Sequence, residues 1–462
     1  MSTLEAAAGL GYAVIGALLA SILALVPALH IYNVAGFVIL GTAALGPLLP
    51  PHHLAMFFLG LVTAYAIVGS IPGIFLSAPD DATVFVVLPG QKYLMQQRGY
   101  EAAALMGLGS LGGIAVLALL TPLAPRLLPP LRQLLQRHIH WILWTVVAYM
   151  LMSEWPKGSD RAPAGLRRLW EGWRSLTAGL ATFLLSGVLG FILMYRSILP
   201  VTVAYQNLLP AFVGLFAVPW VLQNLLARVA LPRQHIPETV DATPWLFLRG
   251  TLAGALGGLF AAFFPVVTGG IGGFIAGHAT AQRDDRLFII SQGASKVVYY
   301  VGGFLFFFVP GLHLTRGGMA WMISTLWTAH TPQTYYLAVA AIVLTGTLSF
   351  FLLLLMTRVT IRLIERVDYR WISLGTLAIL LTVVAAVPVL GALTEGKAAG
   401  GLLLAALSGL LICTASTGVG LIPVLWGSRR MNCMGVLLVP IGLNMVGAGA
   451  TVAGWLGLLG SR

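Results

Sequence analysis

Charged residues and cysteines are scarce in this chain of 462 residues. Only 9% of the residues are charged, against about 25% in a soluble domain, so the composition excludes an ordinary soluble globular protein. The two cysteines, Cys413 and Cys433, lie in apolar runs, which argues against a disulfide framework and against a cysteine-based metal site. We interpret both as small packing residues.

Apolar residues make up 58% of the sequence. They form continuous runs rather than alternating patterns, which indicates membrane helices and argues against a β-barrel. At about 20 residues per crossing, the runs predict about ten to twelve transmembrane helices. The sequence therefore predicts an all-α, multi-pass integral membrane protein of the cytoplasmic membrane.

The formal net charge of +12 does not indicate a nucleic-acid partner. Most of the excess Lys and Arg lies in short loops beside apolar runs, where the positive-inside rule places it. The dense basic loop 358–370 is therefore predicted to be cytoplasmic. The region 126–176 carries basic residues on both sides of the short run 139–154, and its topology stays open.

The sequence predicts two pseudo-symmetric halves, related as an inverted repeat. The first half covers 1–235 and contains a broken segment at 69–101. The second half covers 236–462 and contains a Gly-rich segment at 265–311. Broken or re-entrant helices are tolerated at membrane depth only where protein or a water-filled cavity satisfies the freed backbone groups, so these segments indicate a solute pathway.

Proline and glycine divide several other apolar runs. The runs 33–49 and 297–310 end at Pro-Pro and Pro-Gly pairs, which predicts half-helices rather than full crossings. The run 198–230 is too long for one span and contains Pro210, which predicts two segments.

The Gly-rich segment of the second half is the predicted anion site. If this glycine run opens a helix, the backbone N–H groups and the positive end of the helix dipole attract an anion, and a nearby lysine adds a full charge. The competing interpretation is close helix packing, for which membrane bundles also use glycine. The predicted substrate-binding residues in this half are Thr268, Gly269, Gly270, Gly272, Gly273, Ser295 and Lys296.

The broken segment of the first half contributes three further candidates. Ser77 is predicted to face the substrate, and Asp80 and Asp81 are predicted to bind a coupling ion, either H⁺ or Na⁺. Carboxylates at membrane depth are costly enough to suggest a function. By contrast, the charged residues Arg283, Asp284, Asp285 and Arg286 of the second half are interpreted as a solvated loop with mutually paired charges.

The histidines and glycines fit no known cofactor motif. The pairs His52–His53 and His138–His140 lack a Cys or carboxylate at a metal-binding spacing, so no metal site is predicted. The glycine runs lack the strand that precedes a nucleotide-binding loop, which argues against an ATP-driven pump. No cofactor is expected.

Motifs in both halves resemble those of the tripartite tricarboxylate transporter permeases, the large membrane subunits of the TctA type. The first-half motifs lie at 69–79, 88–90, 97–102 and 110–113, and those of the second half at 250–254, 269–273, 302–303 and 309–311. The resemblance covers most of the chain. Asp80–Asp81 and Lys296 depart from the residue types usual at those positions, which indicates a divergent branch.

The resemblance implies a secondary transporter that works with a small membrane subunit and an extracytoplasmic binding protein. We therefore predict a permease, not an enzyme, that moves a small organic anion of the di- or tricarboxylate class by ion-coupled alternating access.

Two alternatives stay open at this point. One is a translocator of an anionic lipid such as a polyprenyl phosphate; the other is a membrane enzyme with Asp80, Asp81 and His52 or His53 as acid–base groups. Membrane lipids are expected partners in addition to the organic anion or anionic lipid that is transported. The sequence leaves open the substrate's identity, the coupling ion, the direction of transport and the oligomeric state, including a homodimer.

Overall fold

The computed structural model describes residues 2–26, 29–45, 49–76, 82, 85–154, 165–199, 204–227, 231–265, 267–327 and 331–459. Within these ranges the regular structure is helical throughout. The helices are α1 Thr3–Leu23, α2 Ile31–Leu45, α3 Pro51–Val68, α4 Ile71–Phe75, α5 Val87–Met95, α6 Gly99–Leu120, α7 Ala124–Gln136, α8 Ile139–Met152, α9 Leu166–Tyr195, α10 Ala204–Phe212, α11 Val218–Ala227, α12 Pro244–Phe263, α13 Gly269–Ala279, α14 Asp285–Val297, α15 Gly303–Phe308, α16 Gly317–Ser324, α17 Pro332–Arg366, α18 Tyr369–Thr394, α19 Ala399–Trp426, α20 Gly435–Met445 and α21 Gly449–Trp455.

Nine helical stretches in the described part are long and apolar enough to cross a membrane. The number becomes ten if Arg430–Met445 and Gly449–Trp455, which are bent by 118° to each other, count as one span. These stretches confirm the predicted all-α integral membrane protein. The helical run from Asp285 to Phe308 is more polar, but at 1.5 Å per residue it is about 36 Å long and could also cross.

Local sequence signals explain where several helices begin. Ser2 and Glu5 form a reciprocal capping box at the start of α1. The Thr243 hydroxyl accepts a hydrogen bond from the backbone N–H of Leu246, at 3.2 Å, and Thr331 caps α17 in the same way. Each threonine is followed by proline, which fits the first helical position because no N–H is needed there.

The chain divides into two compact units. Unit 1 comprises Met1–Gln136 and Asn224–Thr376, and unit 2 comprises Arg137–Gln223 and Leu377–Arg462. Each unit contains one short π-helical turn, at Val298–Gly302 in unit 1 and at Val213–Ala217 in unit 2. Such turns are rare in proteins as a whole, but those that occur are often found at functional sites.

The run from α14 to α15 lies in the core of unit 1. Glycines on the neighbouring helices allow their backbones to touch it: a Cβ atom added at Gly109 of α6 would overlap the carbonyl oxygen of Ile290, and one at Gly254 of α12 would overlap that of Ser291. Small residues permit this close approach in membrane bundles. The run is therefore packed against backbone on two sides.

At the start of the predicted broken segment 69–101, the helix is interrupted only by a short turn at 69–70. Val68 ends α3 and Ile71 begins α4, and the stretch Pro51–Phe75 counts as one span of 25 residues. Pro89, inside the predicted broken segment 69–101, lies in the first turn of α5. A proline is tolerated there because the first helical N–H groups have no partner within the helix.

Two other predicted boundaries are wrong. Residues 204–227 form one continuous helical run, because the π turn follows Pro210 and keeps the helix going instead of dividing it. The run 297–310 is the end of a longer helix that starts at Asp285, so it is not a separate half-helix. By contrast, α2 has 15 residues, about 23 Å, which is shorter than the hydrocarbon core.

Candidate functional site

The glycine run opens helix α13, as the anion-site prediction requires. Thr268 is the N-cap, and its side-chain oxygen accepts from the N–H of Ile271 at 3.4 Å. The first backbone hydrogen bond of the helix runs from the N–H of Gly272 to the carbonyl of Thr268, at 2.9 Å. The N–H groups of Gly269 and Gly270 precede that bond, and they form the positive end of the helix dipole.

Helix α14 presents several polar side chains on the face that meets α13. The Ser295 hydroxyl donates a hydrogen bond to the carbonyl of Gly269 at 2.8 Å. Gln292 lies one turn earlier, and a Cβ atom at Gly273 would be 2.7 Å from its amide nitrogen. Gln292 is fully buried, and within the described ranges neither atom of its amide group has a hydrogen-bond partner. An unsatisfied buried amide is a ready group for a polar ligand.

Lys296 follows Ser295 and is 0% exposed. Its Nζ lies 5.4 Å from the ring centroid of Tyr65, and a Cβ atom at Gly69 would be 3.4 Å from the same Nζ. The structure therefore brings Lys296 to the glycine turn at 69–70, although the two were predicted independently. A fully buried ammonium group in a membrane protein is costly and indicates a function.

Arg316 places a second cation at the start of α13. Its Nη2 donates to the carbonyl of Val267, at 2.9 Å, immediately before the N-cap. Its Nη1 is buried and has no hydrogen-bond partner among the described residues. The guanidinium carbon lies 5.9 Å from the ring centroid of Tyr299, and the Cβ of Tyr299 would be 3.0 Å from a Cβ at Gly269.

The sequence interpretation missed Arg316 and Gln292. Arg316 is an isolated basic residue after Pro310–Gly311, and no motif in the sequence singles it out. Gln292 precedes Lys296 by four residues, so helical periodicity places both on one face and could have found it.

Aromatic side chains cluster around Tyr65, whose ring lies beside Lys296. His30 Nε2 and the Tyr300 hydroxyl are 3.1 Å apart, within hydrogen-bond distance. The ring of His30 also lies 4.5 Å from that of Tyr32 and 5.5 Å from that of Tyr65, measured between centroids. Aromatic faces attract cations, so this cluster stabilises positive charge in a buried place.

Gly272 shows the competing packing role. A Cβ atom at Gly272 would overlap the carbonyl oxygen of Gly257, and one at Gly257 would overlap that of Gly272. These glycines let α12 and α13 approach closely. Gly272 therefore has a packing role, whereas Gly269 and Gly270 form the first turn of the helix.

The candidate residues of the first half, Ser77, Asp80 and Asp81, lie outside the described residues. The chain before them is held in unit 1, because Asn224 Nδ2 donates to the carbonyl of Leu76 at 3.1 Å.

A paired acidic residue holds the start of α14. Asp284 is the N-cap: its carboxylate accepts from the N–H of Arg286 at 2.8 Å and pairs with the Arg286 guanidinium, also at 2.8 Å. The side-chain hydrogen bond from Arg286 lowers the pKa of Asp284 below its ordinary value. Asp285, next in the chain, pairs with Lys92.

Unit 2 contains a buried charged cluster of a different kind. Glu154 is 0% exposed, and its Oε1 accepts from the backbone N–H of Arg429 at 2.7 Å and from the side-chain amide of Asn432 at 3.2 Å. Arg430 donates through Nη1 to the carbonyl of Phe216, in the π turn, at 3.0 Å. This cluster therefore contains both a carboxylate and basic residues.

The histidines and cysteines form no metal centre in the part of the chain that is described. Searched over those ranges, no group of three or more His, Cys, Asp or Glu side chains could hold a metal ion. Cys413 and Cys433 are free and buried.

The arrangement at α13 is suited to binding an anion. A helix N-terminus, two cationic side chains and an unsatisfied amide all supply positive potential or hydrogen-bond donors, whereas the Ser295 hydroxyl is already bonded to the carbonyl of Gly269. Lys296, Gln292 and Ser295 are fully buried, so the site is closed to solvent in this structure.

Comparisons with known proteins support a transport role. The tripartite tricarboxylate transporter TctA family matches residues 10–435. The uncharacterized protein MJ1079 of Methanocaldococcus jannaschii is 25% identical over 374 residues, which cover 79% of this chain and 83% of that protein. No solved structure matches the chain. The family is one of transporters rather than enzymes, and its members work with a small membrane subunit and a binding protein. The chain therefore belongs to the tripartite tricarboxylate transporter TctA family, as a multi-pass membrane permease.

Proposed function

We propose that this permease binds a small organic anion of the di- or tricarboxylate class at the start of α13 and moves it across the cytoplasmic membrane. The ligand would accept hydrogen bonds from the N–H groups of Gly269 and Gly270. Lys296 and Arg316 would pair with its carboxylates, and Gln292 would donate through its amide. These groups extend the set predicted from the sequence, which already contained Thr268, Gly269, Gly270, Gly272, Gly273, Ser295 and Lys296.

The observation that carries this proposal is the placement of Arg316. It donates to the carbonyl of Val267, next to the N-cap of α13, and it leaves Nη1 buried without a hydrogen-bond partner in the described ranges. A guanidinium group forms paired hydrogen bonds with a carboxylate, and a buried unsatisfied donor is costly without such a partner.

The charge of the site supports a ligand with more than one carboxylate. Two cationic side chains together with the partial positive charge of a helix N-terminus, about half a unit, favour a dianion or trianion over a monoanion.

Alternating access between the halves 1–235 and 236–462 belongs to the same proposal. Asp80 and Asp81 are the proposed sites for H⁺ or Na⁺. If uptake by the Asp80→Asn and Asp81→Asn variants still depends on H⁺ or Na⁺ as it does in the native protein, that role is refuted.

The family supports two protein partners for this chain. We propose that a small membrane subunit and an extracytoplasmic binding protein deliver the substrate. Co-purification of the permease with the small subunit, in the presence and absence of a substrate-loaded binding protein, tests both contacts.

The proposal is tested by thermal unfolding of the purified protein with a panel of mono-, di- and tricarboxylates. A ligand at 100 times its dissociation constant should stabilise the folded state by about 2.7 kcal/mol. We expect this stabilisation to be lost in Lys296→Met and retained in Lys397→Met, since Lys397 is an exposed lysine paired with Glu395. Equal stabilisation of both variants would refute the site.

The same panel should contain polyprenyl and other lipid phosphates. Stabilisation by lipid phosphates alone, lost in Lys296→Met, would replace the carboxylate permease with a translocator of an anionic lipid. Stabilisation by carboxylates alone would exclude that translocator.

A further inference from the structure

An apolar groove lies beneath the amphipathic helix α7, away from the charged residues of the candidate site. The groove has a volume of about 320 Å³ and is bordered by α6, α7, α12, α15 and α17. Its walls include Leu117, Leu127, Leu131, Leu259, Phe306 and Tyr335. The volume falls at the lower end of the range for small-molecule sites.

Helix α7 covers this groove loosely. No residue of α7 is buried, although Leu127 and Leu131 contribute to the groove wall. In a well-packed interior, leucines on the covering face would fill the space and become buried. The groove is therefore open along the edge of α7.

Water is a poor occupant for this space. A buried water needs two to four polar partners, and the groove is lined almost entirely by leucine and phenylalanine side chains. A hydrocarbon chain satisfies the same surface without losing hydrogen bonds. Membrane lipid is the source of such chains beside a membrane-spanning unit.

The charge of α7 selects the kind of lipid. At 100° per residue, Leu127, Leu131 and Leu135 lie on one face of the helix, whereas Arg126 and Arg132 lie away from that face. A helix with a leucine face flanked by arginines is suited to the membrane interface, where its basic residues attract anionic headgroups.

We propose that the groove binds an acyl chain of an anionic phospholipid whose headgroup pairs with Arg126 and Arg132. Phe264 and Val309 line the same groove. Phe264 precedes the N-cap of α13 by four residues, and Val309 begins the segment that leads to Arg316. The bound lipid therefore supports the two segments that carry the candidate anion site, without contacting the anion.

Native mass spectrometry of the delipidated protein tests this proposal. The probes are phosphatidylglycerol and phosphatidylcholine with identical acyl chains. We expect phosphatidylglycerol to bind about tenfold more tightly, and the double variant Arg126→Ala/Arg132→Ala to remove that preference. Leu259→Trp, which fills the groove, should weaken the binding of both lipids.

The control is Arg167→Ala/Arg168→Ala, which removes the same charge from the start of α9 in unit 2. This control should keep the preference for phosphatidylglycerol. Equal binding of the two lipids to the native protein would overturn the proposal. So would an unchanged preference in the Arg126→Ala/Arg132→Ala variant, which alters only surface side chains and should fold normally.

Discussion

Buried positive charge has different surroundings in the two units. In unit 2, the buried carboxylate of Glu154 accepts a hydrogen bond from the backbone N–H of Arg429, so a carboxylate lies close to a basic residue. The Arg430 guanidinium donates to the carbonyl of Phe216 and lies over the ring of Trp220. In unit 1, Arg316 is bonded to a backbone carbonyl at the start of α13, and Lys296 lies over the ring of Tyr65. Charge that is balanced within the protein serves the fold, whereas positive potential gathered at a helix N-terminus is available to a ligand.

The largest expected effect distinguishes the two clusters by their cations. Lys296→Met should weaken carboxylate binding by more than about 30-fold, because a desolvated charge pair with the ligand is worth about 2 kcal/mol or more. Arg430→Met, the matched change in unit 2, should leave the dissociation constant within about twofold. Isothermal titration of both purified variants measures this. Equal losses would contradict the assignment of the site to unit 1.

The second effect concerns the cation that the sequence interpretation missed. Arg316→Gln removes the charge and the paired donors, and it should weaken binding by about tenfold or more, because hydrogen bonds to charged groups contribute about 1.5–3 kcal/mol. Arg316→Lys should recover only part of the affinity, since an ammonium group cannot form the two parallel bonds. Wild-type affinity in Arg316→Gln would remove this residue from the site.

The third effect is on stability in unit 2. Glu154→Gln should lower the free energy of unfolding by about 1–3 kcal/mol, because the carboxylate that accepts from Arg429 and Asn432 loses its charge. Carboxylate binding should not change. Glu171→Gln, at a partly exposed glutamate of α9, is the control and should leave the thermal midpoint nearly unchanged. If Glu154→Gln abolished carboxylate binding without lowering stability, the ligand site would have to be assigned to unit 2 instead of unit 1.

The fourth effect separates packing from binding within the glycine run. Gly272→Ala should destabilise unit 1 by about 1–3 kcal/mol, because the added methyl group would overlap the backbone of Gly257. Gly277→Ala on the same helix is the control, since the nearest atom to its added Cβ would be 3.5 Å away. Thermal unfolding of the two variants without ligand gives the difference. Similar midpoints would show that Gly272 is not needed for packing.

The smallest expected effect is a pH-dependent change in stability that arises at the start of α14. The pKa of Asp284 is lowered by its hydrogen bond to Arg286, so the pair stabilises the fold above the ordinary carboxyl pKa of 3.8 and loses that contribution as the pH falls below it. Because both side chains are about one-third exposed, we expect less than about 1 kcal/mol. Unfolding midpoints at pH 6 and pH 3.5 should differ less in Asp284→Asn than in the native protein.

The sequence was sufficient for the fold class and for the position of the helix at the anion site. Long apolar runs predict membrane helices because the bilayer leaves no other partner for the backbone. Thr268 followed by glycines predicts a capped helix start, and the structure has one there.

The sequence could not show which side chains meet across the bundle. Lys296 and Gly69 are far apart in the chain, and only tertiary packing brings the ammonium group to that glycine. Proline also misled the interpretation: Pro89 fits in the first turn of α5, and the helix continues past Pro210 by way of a π turn. A proline limits the local backbone, but neighbouring helices decide whether the helix ends there.

The two cations of the candidate site are attached to unit 1 through very different supports. Lys296 belongs to a helix whose backbone touches two neighbouring helices at glycines, and any tilt of that helix would separate several such contacts at once. Arg316 lies between Gly311 and Gly317, which both have φ of +78°, a conformation that residues with a side chain rarely adopt. Replacing either glycine would therefore strain the backbone that carries Arg316, whereas the position of Lys296 depends on contacts along a whole helix.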